Sequence, residues 1–233
     1  GVPCVIRGHL AADEWRACAY FADLRSLHRA HGSRLVPVNL GSPITPGYGG
    51  VVHWPLSRLI ECHLLPSNAT HGVCSDGPPD AERHVEVAYM SQHHLAGFQI
   101  EELGDAFATP AYTVGRELSP ANCWIGTRGT VTSLHSDPGD NLLCQVAGFK
   151  YVRLYSLDET PRLYARTMRA RSTNSFGTSA VRVEAPDARA HAGFCDARYC
   201  ECLLSPGDVL FIPKSMWHYV RSLTTSVSLN FWF

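Results

Sequence analysis

The stretch Gly129-Thr-Val-Thr-Ser-Leu-His-Ser-Asp-Pro-Gly-Asp-Asn141 decides how this chain reads. Its first half is an extended strand and its second half a turn, marked by Pro and Gly. In an extended backbone residues i and i+2 point to the same side, so the imidazole of His135 and the carboxylate of Asp137 share one side of a strand end. A strand end beside a turn is where a cavity mouth lies. Both groups can ligate one metal ion. The pair alone is thin, because with 12 His in the chain chance yields about 0.6 such His-x-Asp pairs. A rival pair stands at His84-Val-Glu86.

Context separates the two. Downstream of Asp137, Lys150 opens the run Lys150-Tyr-Val-Arg-Leu-Tyr155 and shares a strand face with Val152 and Leu154. A lysine on an apolar face needs an anion; otherwise it snorkels to an edge. Further on come the turn Ser205-Pro-Gly-Asp208, the run Val209-Leu-Phe-Ile212, the breaker Pro213, and His218 near the start of a new strand. Two His and one carboxylate leave three positions open on an octahedral metal, the facial arrangement of non-haem Fe(II) oxygenases. A closed zinc site needs a fourth ligand. At the rival pair, Tyr89 facing inward with Val85 and Val87 sends His84 and Glu86 outward into solvent.

Composition narrows the function classes. The chain has 233 residues, 45% of them hydrophobic and 18% charged, with 15 Pro and 19 Gly. That excludes coiled-coil, collagen-like and disordered classes. Lys plus Arg number 20 against 21 Asp plus Glu, a net charge of -1, so no electrostatic argument favours nucleic acid. The uncharged run at residues 35–57 is broken by Pro37, Pro43, Pro46 and Pro55 and cannot be a spanning helix. Nine cysteines, an odd number in a chain large enough to need no staples, suit free thiols in a reducing compartment, the nucleus or cytoplasm. The residues from Gly1 onward show no signal-peptide pattern, and the last strand runs to Phe233, as in a catalytic core trimmed to size.

Along the chain, residues 13–30 are compatible with one or two short helices, residues 35–40 with a strand, residues 54–65 with a helix starting near Pro55, and residues 66–80 with a loop. From residue 85 onward short apolar runs alternate with turn signals: 85–90, 122–134, 142–146, 150–155, 209–212, 219–223 and 226–233. Helical segments in front and many strands behind predict one mainly β domain, residues 1–233, with a helical and mixed portion at 1–84 and a sandwich or barrel at 85–233.

The runs Thr130-Val-Thr-Ser-Leu-His-Ser-Asp-Pro138, Asn141-Leu-Leu-Cys-Gln-Val-Ala-Gly-Phe-Lys150, Ser205-Pro-Gly-Asp-Val-Leu-Phe-Ile-Pro213, Trp217-His-Tyr-Val220 and Asn230-Phe-Trp232 together resemble the JmjC oxygenases, most nearly the small arginyl hydroxylases of the jumonji-domain-containing-protein-five type. The likeness spans nearly the whole chain and thins over residues 1–84. It implies a double-stranded β-helix, the cupin-like jelly roll. It further implies Fe(II) held by His135, Asp137 and His218, 2-oxoglutarate as co-substrate, dioxygen as oxidant and a protein or peptide as substrate. By the same residue-wise match Lys150 pairs with the distal carboxylate of the keto acid, and Thr132 and Tyr89 donate hydroxyl hydrogen bonds to it. Asn141 and Asn230 line the iron end, and Trp124 and Trp232 wall the pocket.

One position departs from the pattern. Asn39, in Val36-Pro-Val-Asn-Leu-Gly-Ser42, stands where the resemblance leads one to expect an acid. If the target is arginine, the charge complement then falls to Glu117 or Asp105. Histone lysine N-methyl demethylation is the alternative enzyme activity, and a non-catalytic cupin-like binding module the alternative from another class. Two further clusters carry less. Cys195, Cys200 and Cys202 near His191 match no regular zinc spacing and read as small apolar residues. Arg162, Arg166, Arg169 and Arg171 read as a solvated loop.

Overall fold

The computed structural model describes residues 1–10, 15–41, 50–65, 87–93, 106–166 and 177–233, without the side chains of residues 92 and 93. Fourteen strands among them form two antiparallel sheets. They are β1 (Cys4–Ile6), β2 (Leu35–Leu40), β3 (Val51–Pro55), β4 (Ala88–His93), β5 (Asn122–Gly126), β6 (Val131–Ser136) and β7 (Asn141–Ala147), then β8 (Lys150–Tyr155), β9 (Ala165–Arg166), β10 (Gly177–Ser179), β11 (Cys200–Leu204), β12 (Val209–Ile212), β13 (Trp217–Ser222) and β14 (Ser226–Trp232). The larger sheet runs β1-β12-β7-β14-β5-β4-β2-β3 and the smaller β11-β8-β13-β6-β10-β9.

Alternation decides which side chains the sheets enclose. In β14, Val227, Leu229 and Phe231 join the cluster that packs under α1 (Arg16–Ala22) and α2 (Leu24–His31) through Trp15, Phe21 and Leu27. The intervening Ser228, Asn230 and Trp232 turn to the space between the sheets. Leu143, Leu210 and Ile212 of the larger sheet meet Val152, Leu154, Leu204 and Val220 of the smaller one there. A third cluster, with Leu134, Tyr155, Trp217 and Tyr219, packs the smaller sheet against Val181, Val183 and Phe194. This is a double-sheet jelly roll.

Gly148 carries the chain from β7 in one sheet to β8 in the other. Its φ is +70°, and a Cβ there would lie 2.0 Å from the Thr225 carbonyl oxygen, so only glycine fits. The two Pro-Gly-Asp turns expected from sequence also close strand ends. Asp208 accepts from the backbone N–H groups of Gly8 and Ser205, and Asp140 accepts from that of Lys214.

Several expectations need correction. The apolar run at 122–134 is two strands, because Thr127 to Thr130 form a turn: the Thr130 N–H donates to the Thr127 carbonyl. The helix expected over residues 54–65 is α3 (Leu56–Leu59) continued by a π-helical turn (Ile60–Leu64), and Val51–Pro55 before it is a strand. β2 pairs with both β3 and β4, so the front of the chain extends the larger sheet as well as supplying helices. Cys62 is disulfide-bonded, against the expectation of free thiols throughout; Cys4, Cys18, Cys123, Cys144, Cys195, Cys200 and Cys202 are free. The loop at 66–80 lies outside the described residues. No helix among the described residues is long and apolar enough to cross a membrane.

Candidate metal centre

His135 lies near the end of β6, and Asp137 follows that strand directly. β13 runs antiparallel beside β6 with His218 in register with His135. Between His218 and Val220 the ladder shifts, two residues of β6 standing against one of β13. The ring centroids of the two histidines are 4.1 Å apart. Nε2 of His135 is 3.7 Å from Oδ1 of Asp137, and Nε2 of His218 is 3.5 Å from its Oδ2. Atoms each about 2.1 Å from one ion lie about 3–4 Å apart, and here one ligand atom from each residue lies within 4.8 Å of the others.

Backbone carbonyls aim both rings. Nδ1 of His135 is 2.7 Å from the Ser133 carbonyl oxygen, and Nδ1 of His218 is 3.0 Å from that of Met216. A carbonyl only accepts, so each Nδ1 is a donor, and the Nε2 of each ring is left turned toward Asp137, the atom a metal takes. Burial, then the neighbouring His218, pushes the His135 imidazole down to about 4. Burial by itself would raise Asp137, but the hydrogen bond and charge of His218, with His135, outweigh it and hold the carboxyl below its usual value. At neutral pH His135 is neutral and Asp137 ionised. Neither must shed a proton to ligate.

These three residues open on a cavity of about 330 Å³. All of the other candidate residues line it: Tyr89, Trp124, Thr132, Asn141, Lys150, Asn230 and Trp232. The Tyr89 hydroxyl is 3.2 Å from that of Thr132. Trp124 donates to Asn230 Oδ1 at 2.7 Å, and Asn230 donates to Asn141 Oδ1 at 3.1 Å, a relay from the wall toward the metal end. The Trp232 indole N–H contributes to lowering Asp137 yet makes no well-formed hydrogen bond.

Lys150 is 2% exposed and no carboxylate among the described residues pairs with it. Burial pulls its ammonium down to about 7, opposed by the Cys123 thiol. An uncompensated cation in an apolar wall is a standing cost that an anionic ligand would offset.

Other sequence candidates fare differently. Asn39 lines the cavity and donates to the Tyr89 carbonyl at 3.1 Å and to the Ser91 hydroxyl at 2.8 Å. Glu117 is exposed and is not among the residues that line the cavity. Asp105, His84 and Glu86 lie outside the described residues, as do Arg169 and Arg171. Arg162 pairs with Glu159 at 3.1 Å. Among the described residues the His135–Asp137–His218 group alone gathers three ligand atoms at metal-binding distances, and Cys195, Cys200, Cys202 and His191 are not so gathered. Sequence reasoning missed Ser91 and Thr178, which line the cavity from β4 and β10, and the two carbonyls that orient the histidines. The carbonyls carry no side-chain signal, although both stand two residues before a histidine.

A family model described as a cupin-like domain matches residues 73–233. Lysine-specific demethylase 8 of Xenopus tropicalis is 36% identical over 234 residues, 99% of this chain and 47% of that protein. Lysine-specific demethylase JMJ30 of Arabidopsis thaliana is 34% identical, over 100% of this chain and 50% of its own length. Jumonji C domain-containing protein 5 of Drosophila melanogaster is 31% identical, over 94% and 51%. The chain thus spans about half the length of the curated relatives it matches.

Proposed function

The chain belongs to the JmjC family of cupin-like Fe(II)- and 2-oxoglutarate-dependent oxygenases, and from that premise we propose that it hydroxylates a side chain of a protein substrate, arginine first. The observation that carries this is the unpaired Lys150 ammonium in the same cavity as a three-residue ligand set with no fourth protein ligand among the described residues. A structural metal site closes its coordination and has no use for a buried cation nearby.

In this proposal His135, Asp137 and His218 hold the iron. When bound, that ion with the keto acid supplies activation of dioxygen, coupled to decarboxylation of the keto acid to succinate. Lys150 binds the distal carboxylate as a desolvated ion pair. The Tyr89 and Thr132 hydroxyls, now facing each other, turn to donate to the same carboxylate. Asn141, positioned through Asn230 and Trp124, presents its carboxamide at the metal end. Trp232 and Trp124 keep water from the reacting side chain. Arginine as the target rests on the likeness to the small arginyl hydroxylases. The described lining holds no carboxylate other than Asp137, so a guanidinium would meet neutral acceptors there, Asn39 and Ser91 among them.

The names of two relatives favour a second activity, removal of an N-methyl group from lysine. It uses the same chemistry at an N-methyl carbon. Succinate release from candidate peptides, dependent on both iron and 2-oxoglutarate, tests the common step. Mass spectrometry then separates gain of one oxygen from loss of a methyl group. Failure of the purified protein to bind iron and 2-oxoglutarate together would overturn both.

A further inference from the structure

A second cavity, of about 260 Å³, backs onto the first across β6, β10 and β13. Ser136, in register with Gly177 on one side and Trp217 on the other, lines it together with both. Their sequence neighbours His135, Thr178 and His218 line the metal cavity on the opposite face.

Its open polar groups are donors. Ser136 is 4% exposed, yet its hydroxyl lines this space and has no hydrogen-bond partner among the described residues. A Cβ at Gly177 would lie 3.1 Å from the Trp217 ring and 4.0 Å from Ser136 Oγ, so the missing side chain keeps the hollow open over that hydroxyl. Ser215, which also lines it, is held at φ +65°, a conformation unfavourable to a non-glycine residue, and its N–H donates to the Asp137 carbonyl. Arg166, which is exposed, is the lone charged residue of the described lining, and no carboxylate among the described residues forms an ion pair with it. Nearby Glu159 is already taken by Arg162. Thr160 accepts from the Trp217 indole and donates to the Leu157 carbonyl, so its one proton is already committed.

A hydroxyl on a largely buried serine that bonds to no described residue, a second hydroxyl and an exposed guanidinium with no ion pair, around a hollow whose described lining holds no carboxylate, complement a compact oxyanion. We propose that this cavity binds a carboxylate or phosphate group, either as a free small anion or as an acidic side chain of a bound polypeptide.

The test uses the zinc-loaded protein carrying Lys150→Met, which removes the cation of the other cavity, and follows the Trp217 indole and the Ser136 and Ser215 amides by NMR at constant ionic strength. Inorganic phosphate and acetate should each give a saturable shift at these three groups, weakened roughly ten-fold or more by Arg166→Gln and also by Ser136→Ala. No saturable shift, or a shift undiminished by Arg166→Gln, overturns the site. A short peptide with a central glutamate that binds more tightly than acetate assigns the cavity to polypeptide acids, whereas equal affinity assigns it to free anions. Equal binding of the same peptide with glutamine overturns oxyanion recognition.

Discussion

His218 stands opposite His135 in the β13–β6 ladder, and each ring is tethered through Nδ1 to the carbonyl two residues before it. The two Nε2 atoms therefore converge on Asp137 without help from any other side chain. Replacing His218 with Ala removes one of three ligands while leaving the ladder intact. Loss of a ligand costs at least what loss of an orienting partner does, so iron affinity should fall by roughly 100-fold or more. Anaerobic metal titration with circular dichroism as the folding control checks it; retained affinity would place the metal elsewhere.

Lys150→Met fills the same space without a charge. Keto-acid affinity should fall roughly 10–100-fold, as for loss of a charged hydrogen-bonding partner, while iron binding is spared. The same variant should be more stable than the parent in the absence of keto acid. The Lys150 ammonium falls from its ordinary 10.5 to about 7 on folding. Between those values the unfolded chain binds the extra proton, and below about 7 the full cost of burying the charge stands. At pH 7 the gain should be a few kcal/mol at most, read as a higher denaturation midpoint.

The same group sets a pH dependence for the keto acid. Below about pH 7 the buried ammonium is already charged; above it the free protein must take up a proton to bind a dicarboxylate. Affinity in metal-loaded protein should therefore weaken with rising pH above that point, by up to about ten-fold per pH unit. The slope should vanish in Lys150→Met. Calorimetry in buffers of different ionisation enthalpy would count the proton, and a flat profile in the parent would remove Lys150 from the keto-acid site.

Trp124→Phe deletes the indole N–H that Asn230 Oδ1 accepts. Asn230 is buried, so its oxygen is left without that partner and the relay to Asn141 loosens. Chemical denaturation should show a loss of about 1–3 kcal/mol. In the proposed reaction the KM for 2-oxoglutarate should rise more than kcat falls.

Gly148→Ala places a methyl group where the Thr225 carbonyl already sits, at a φ of +70°. The backbone must move, and with it the start of β8 that carries Lys150. Several kcal/mol of destabilisation are expected, beyond the roughly 1–2 kcal/mol of the left-handed conformation itself. A soluble variant with parental stability would show that the turn can relax.

The sequence by itself determined the identities of the chemical groups and the strands that bear them. Residues i and i+2 of an extended chain share a face, so His135 with Asp137, and Lys150 with Val152 and Leu154, followed from local geometry. The ranges of β2 and β8 followed from alternation bounded by Gly and Pro. Folding alone decided how those strands were assembled. Register across β6 and β13 brings His218 to the pair, the carbonyls of Ser133 and Met216 aim its ring and that of His135, and the second cavity arises where Gly177 lacks a side chain beneath Trp217. β1, β3, β9, β10 and β11 were missed: all are short, and all but β10, which lies between β6 and β9, stand at sheet edges, so their hydrogen bonds depend on partners that a short pattern does not reveal. The physical reason is one of range: a strand's own pattern encodes which way its side chains face, while register, cavities and charge burial belong to contacts between segments far apart in the chain.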